Sequence, residues 1–158
     1  MIERIIRWTS NFTAVILAML VLLVVYDATM RYLFSAGSTA LQELEWHFFD
    51  VVILLSIAYT MRMGAHVRVD IFYDRFSEKT KRIVNIFSIL FFILPFSILI
   101  VYIGYGFVEM SFIQNESSSD PGGLPYRWVV KSLILVAFVL LALEAVNALI
   151  EDIRELRK

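Results

Sequence analysis

The stretch IVNIFSILFFILPFSILIVYIGYGFV, residues 83–108, runs for 26 residues without a charged side chain. A helix needs about 20 mostly apolar residues to cross the hydrocarbon core of a bilayer, which is about 30 Å thick. At about 1.5 Å per residue this stretch exceeds the core, so its helix should tilt, bend or protrude. Pro95 lies inside the stretch and is the expected position of a bend. The stretch therefore predicts a membrane-spanning helix.

The rest of the chain has the same character. Of its 158 residues, 59% are hydrophobic and 18% are charged, against about 45–50% and about 25% in soluble domains. The first apolar stretch is long for a signal peptide, so we predict a retained helix there. We predict an all-α membrane protein, a single integral membrane domain over residues 1–158 with transmembrane helices at about 8–33, 41–63, 83–108 and 128–150.

Composition and motifs argue against several classes of protein. A net charge of −1 leaves no basic surplus for binding nucleic acid. The absence of cysteine excludes thiolate chemistry and zinc–thiolate sites. His47 and His66, the two histidines, fall near opposite membrane faces, so one chain cannot supply a bis-histidine haem site. Since the sequence also lacks a phosphate-binding glycine loop, a nucleophile elbow and a zinc-protease motif, we expect no enzyme and no cofactor.

The distribution of basic residues predicts the topology. Eleven of the 14 lysine and arginine residues fall in the N-terminus, the 62–82 connection and the C-terminal tail. The other three are Arg31, Arg127 and Lys131. Because cytoplasmic loops carry the excess of positive charge, both termini should be cytoplasmic, and residues 34–40 and 109–127 should face outward.

The connection between the second and third spans mixes apolar and charged residues over 66–82. We predict an amphipathic interfacial segment that contacts membrane lipids, serving either as an ordinary connection or as a docking surface. Ser77 is a plausible N-cap of the third helix, followed by a Glu78–Arg82 ion pair at i, i+4.

The second span is the most polar. Glu43, Trp46, His47 and Asp50 follow the i, i+3, i+4, i+7 spacing of one helix face. Asp50 lies about 18 Å from Arg62 by helical rise, well inside the membrane. A carboxylate there costs about 2.5–3.5 kcal/mol on insertion scales, so it should face protein, water or a counter-charge. Two interpretations follow: an ion or proton site, or a polar contact between helices or with a partner subunit.

Charged residues also occur at the outer end of the first span. Asp27 and Arg31 are four residues apart and can form an ion pair. Helical rise places Asp27 and Glu43 at similar depth, so Arg31 can bridge the two carboxylates. Alternatively, Arg31 presents its charge to a partner outside the membrane.

Three segments together suggest a family. They are Leu41-Gln-Glu-Leu-Glu-Trp46, Ala65-His-Val-Arg-Val-Asp70 with the following Ile-Phe-Tyr73, and Asp120-Pro-Gly-Gly-Leu-Pro-Tyr-Arg127. With them the chain resembles, over nearly its whole length, the small membrane subunit of tripartite ATP-independent periplasmic (TRAP) transporters, the DctQ-like family. One departure is that Trp46 follows the two acids, whereas many members of the family place the tryptophan first.

The resemblance implies a function. Such systems take up organic acid anions across the bacterial inner membrane, driven by a sodium gradient. A periplasmic substrate-binding protein captures the substrate and a large membrane subunit carries it. The small subunit binds and braces the large one. The acidic–aromatic motif opening helix 2 corresponds to Glu43, Glu45 and Trp46. The motif closing it corresponds to His66, Arg68 and Asp70, and the family gives none of these residues a catalytic role.

These considerations define three groups of candidate site residues. The first is a partner interface, either with the large subunit or as a local polar network: Glu43, Glu45, Trp46, His47 and Asp50. The second is a periplasmic docking pair, Arg31 and Arg127, and the third is a membrane-interface motif, His66, Arg68 and Asp70.

Two alternative functions remain open. One is a self-sufficient, proton-coupled small transporter that acts as a homo-oligomer through Asp50 or Glu43. The other is a membrane anchor of a respiratory enzyme, against which the positions of the two histidines argue.

Overall fold

The computed structural model describes residues 2–64, 73 and 76–157 of the chain. Regular secondary structure in these residues is helical throughout. The elements are α1 (Ile2–Phe34), α2 (Thr39–Arg62), α3 (Glu78–Ser88), a π-helix (Ile89–Ile93), α4 (Leu94–Ile113) and α5 (Arg127–Leu156).

Four helical units in the described residues are long and apolar enough to cross a membrane. The third unit, Glu78–Ile113, combines α3, the π-helix and α4. The predicted all-α, four-span fold is confirmed, although the helices run beyond the predicted limits. The fourth, for example, continues past residue 150 to Leu156. Charged residues end an apolar run without breaking backbone hydrogen bonds, so a helix can extend beyond the hydrocarbon.

Serine caps begin two of the helices. The Ser38 hydroxyl accepts a hydrogen bond from the Leu41 amide at 3.4 Å and starts α2. Ser77 accepts from the Thr80 amide at 3.2 Å, which confirms its predicted capping role at α3.

The predicted ion pair between Glu78 and Arg82 is wrong. Glu78 pairs with Lys81 at 2.9 Å instead. Arg82 reaches Asp152 on α5 at 3.0 Å. Arg82 therefore joins α3 to α5 rather than bracing its own helix.

The long third unit changes its winding before Pro95. The π-helix ends immediately before Leu94, whose amide bonds to the Ile89 carbonyl five residues earlier. Proline has no N–H, and its ring clashes with the carbonyl four residues back. A π-turn widens the helix and makes room for the ring. The π-helix thus ends two residues before Pro95, the position predicted for a bend.

The membrane helices form an open row in the order α1, α2, α5, α4. α1 packs mainly on α2, α2 on both α1 and α5, and α5 on both α2 and α4. In the described part of the chain, the pairs α1–α4 and α2–α4 make no comparable contact. α2 and α5 are therefore the two central helices, and each has one side that no other described helix covers.

Both central helices bury small side chains. Ala58 of α2, with Ala137 and Ala145 of α5, is at most 1% exposed. Small residues let transmembrane helices approach closely and gain van der Waals contact. Large apolar side chains lie instead on the outward faces of α1 and α4, where they meet lipid or a partner.

The two ends of the row differ. The loop end contains the turn at 35–38 and the loop at 114–126, and the terminal end contains Arg62 and Leu156. At the terminal end Arg62 lies 3.8 Å from Glu144, a buried carboxylate on α5. Because α2 and α5 also meet at the loop end, they run parallel. The ion pair between Arg62 and Glu144 thus joins two helices.

The motif His66, Arg68 and Asp70 lies outside the described residues. Most of the connection between α2 and α3 also lies outside the described residues. The predicted interfacial segment therefore stays a prediction.

Candidate functional site

Glu43 on α2 binds the loop that connects α4 to α5. Its carboxylate is buried and accepts a hydrogen bond from the Ser118 hydroxyl. It also accepts from the Leu124 amide at 2.6 Å and from the Arg127 guanidinium at 3.2 Å. We call these four residues the loop latch. Hydrogen bonds to a charged group are the strong ones, so the latch fixes the loop over the end of α2.

The backbone of the loop is built to fit this carboxylate. Ser118 donates its amide to the Leu124 carbonyl at 3.0 Å, closing a narrow turn. Gly123 lies inside the turn, where an added Cβ would collide with Ser118 and lie 2.9 Å from the Glu43 carboxylate. The glycine therefore provides space for the carboxylate of Glu43.

A second ion pair supports the latch from α5. Lys131 binds the Glu116 carboxylate, and its Nζ lies 4.1 Å from the centre of the Phe107 ring on α4. The Glu116 carbonyl also accepts the Arg127 amide at 3.0 Å. The hydrogen bond from Lys131 holds the pKa of Glu116 below its ordinary value.

A cavity of about 220 Å³ lies between α2 and α5 near the loop end. We call it the α2–α5 cavity. It is lined by Arg127 of the loop latch, by Lys131 and by three ionisable side chains of α2. Its polar lining and one aromatic neighbour are Glu43, Trp46, His47, Asp50, Arg127 and Lys131.

The charged residues of α1 face the side of α2 that lies away from the α2–α5 cavity. Arg31 pairs with Asp27 at 3.1 Å, as predicted from their spacing. The Asp27 side chain is only 1% exposed. Glu45 interacts electrostatically with both residues, so it points toward α1. The predicted bridge from Arg31 to Glu43 is wrong, because Arg127 and the loop occupy the Glu43 carboxylate.

The side chains of the predicted interface residues thus point in different directions. Glu43, His47 and Asp50 line the cavity, Glu45 turns toward α1, and Trp46 is 67% exposed on the outward side. Their assignment to a partner interface stays a prediction. Of the docking pair, Arg31 is held by Asp27 of its own helix α1, and Arg127 belongs to the latch.

Sequence reasoning missed the residues that hold Glu43. Ser118, Gly123 and Leu124 belong to a dense cluster of turn-forming residues, which indicates a loop but not its contacts. Lys131 and Glu116 are 15 residues apart across that loop. A basic residue at the start of an apolar helix is the signal that could have suggested an acidic partner nearby.

Comparison with known families identifies the family of the chain. Residues 20–155 match the model of a family described as the DctQ component of tripartite ATP-independent periplasmic transporters. The chain belongs to this family. The match confirms the resemblance drawn from the motifs and includes the loop latch and the α2–α5 cavity. A search of individual curated proteins finds no match.

Family membership gives the chain a general role. DctQ proteins are components of a transporter with several parts and are not a family of enzymes. With four helices able to span a bilayer, this DctQ subunit is a multi-pass protein of the inner membrane.

Replacing Glu43 with alanine should release the loop. The variant loses the common acceptor of three donors, and local opening should expose the bond after Arg127 to trypsin. We expect cleavage of the detergent-purified subunit after Arg127 to become several-fold faster, measured by mass spectrometry. Glu109→Ala, which removes an exposed glutamate of α4, is the control. Equal rates in the two variants would contradict the latch.

Acid should weaken the loop through Glu116. Because the pKa of Glu116 is lowered in the fold, its ion pair stabilises the loop above the ordinary pKa. That contribution is lost as the pH falls through the lowered value. Trp128 lies 5.2 Å from Phe112, so its fluorescence reports on this end.

In a variant that keeps only this tryptophan, Lys131→Met should move the acid transition upward, toward the ordinary value of 4.5. Identical midpoints with and without Lys131 would exclude the ion pair as the cause.

Proposed function

We propose that this DctQ subunit binds and braces the large transport subunit of a sodium-driven transporter for organic acid anions. The observation that carries the proposal is the character of α2. It is the least apolar of the four spans, yet one side of it is not covered by any other helix that the structure describes. Asp50 lies beside that side, inside the membrane span, and a carboxylate at this depth favours a protein neighbour over lipid.

The packing of the row supports a bracing role. α2 and α5 are joined at the loop end by Glu43 with Arg127 and at the terminal end by Arg62 with Glu144. Contacts at both ends oppose tilting and sliding of one helix against the other. A subunit that steadies a moving partner needs this stiffness.

We also propose that the loop end faces the periplasm and contributes to docking of the substrate-binding protein. The distribution of lysine and arginine supports this orientation. Arg31 and Arg127 lie at this end with side chains 46% and 36% exposed. Each is positioned by a carboxylate and still open to a partner. The motif His66, Arg68 and Asp70 is proposed to contact lipid at the cytoplasmic interface.

Purification from native membranes tests the central proposal. A tagged subunit, extracted in mild detergent, should bring down one much larger multi-span membrane protein in stoichiometric amount, identified by mass spectrometry. A subunit that purifies alone as a stable oligomer, and transports an acid in liposomes without a partner, would instead establish the self-sufficient transporter.

Charge reversal at Arg31 tests docking. Arg31→Glu should slow uptake of the transported acid without lowering the amount of complex in the membrane, because it changes charge at the exposed end. Asp27→Asn is the control, since it removes the intrachain ion pair but keeps the arginine. Unchanged uptake in Arg31→Glu, or equal slowing in both variants, would reject a docking role for Arg31.

A further inference from the structure

The α2–α5 cavity contains one carboxylate without a matching cation. Arg127 is bound by Glu43, and Lys131 is bound by Glu116. Asp50 makes no hydrogen bond or ion pair with any described residue, and His47 is the group that acts on it electrostatically. The internal charges of the cavity are thus paired except at Asp50.

The position of Asp50 makes this gap costly. It lies near the middle of the 24-residue helix α2, about 16–18 Å from either end by helical rise. Lipid headgroups lie beyond the hydrocarbon core and do not reach this depth. A cationic side chain that pairs with Asp50 must therefore come from a membrane helix.

The surface beside Asp50 is shaped to receive such a helix. Trp46, Phe49 and Ile53 are spaced by three and four residues, which places them on one helical stripe. They are 67%, 44% and 47% exposed. Asp50 lies within this stripe, four residues after Trp46. α1 and α5 cover other sides of α2, and α4 makes no comparable contact with it.

We propose that a lysine or arginine on a membrane helix of the large transport subunit enters the α2–α5 cavity and pairs with Asp50. Trp46, Phe49 and Ile53 pack against the helix that carries it. This inference rests on the proposed function and adds the chemistry of the contact. The cavity volume of about 220 Å³ accommodates the end of one long side chain, and the apolar stripe covers its aliphatic stem.

The substitution Asp50→Asn removes the charge of the side chain and keeps its shape. In the intact complex, purified through a tag on the small subunit, Asp50→Asn should lower recovery of the large subunit about tenfold or more, because it leaves a buried cation unmatched. Glu109→Gln, the same chemical change on exposed α4, should recover the wild-type amount. The melting temperature of the isolated Asp50→Asn subunit should not fall, since Asp50 makes no hydrogen bond or ion pair with a described residue that the change could remove.

Three outcomes would overturn the inference. Equal recovery in Asp50→Asn and wild type means that no cation pairs with Asp50. A lowered melting temperature of the isolated variant means that Asp50 acts within its own chain. Failure of the wild type itself to recover any large subunit removes the proposed function, and with it the contact, so the two failures are distinguishable.

A photo-crosslinking residue in place of Phe49 provides an independent measurement. In the same complex, we expect it to label a membrane helix of the large subunit that contains lysine or arginine near the bilayer centre. Labelling of lipid alone, or of a helix without a basic residue at that depth, would also overturn the inference.

Discussion

The burial of charge in a low-dielectric membrane is the constraint that organises this subunit. α2 carries Glu43, Glu45 and Asp50 in a span that must cross the bilayer. A carboxylate in hydrocarbon is tolerated only with a cation, a set of donors or water. Each of these acids faces different surroundings. The loop satisfies Glu43, the α1 pair lies beside Glu45, and Asp50 is open toward the uncovered side.

The loop between α4 and α5 is therefore part of the membrane helix packing rather than a simple connection. Its Leu124 amide and Ser118 hydroxyl act as ligands of a carboxylate on another helix. Because one of those donors is a backbone group, its contribution depends on the path of the chain and not only on side-chain identity. This dependence explains why Gly123, which does not touch α2 through a side chain, belongs to the site.

The sequence allowed prediction of features set by local physics. Long apolar stretches predicted the four spans, and the four-residue spacing of Asp27 and Arg31 predicted their ion pair. Contacts between residues that are far apart in the sequence could not be predicted from it. Glu43 and Arg127 are 84 positions apart, and Arg82 and Asp152 are 70 apart. Their pairing depends on which helices become neighbours, and hydropathy carries no information about that order.

The two ion pairs between α2 and α5 also set a common length scale. Glu43 and Arg62 are 19 residues apart, and their partners Arg127 and Glu144 are 17 apart. At about 1.5 Å per residue these spacings correspond to about 28 and 26 Å, so both ends close together only in one axial register. Deletions or insertions between these anchor points are therefore constrained even where the intervening side chains face lipid. Side chains of this stretch that face lipid can be exchanged for other apolar ones, whereas the number of residues cannot change in one helix alone.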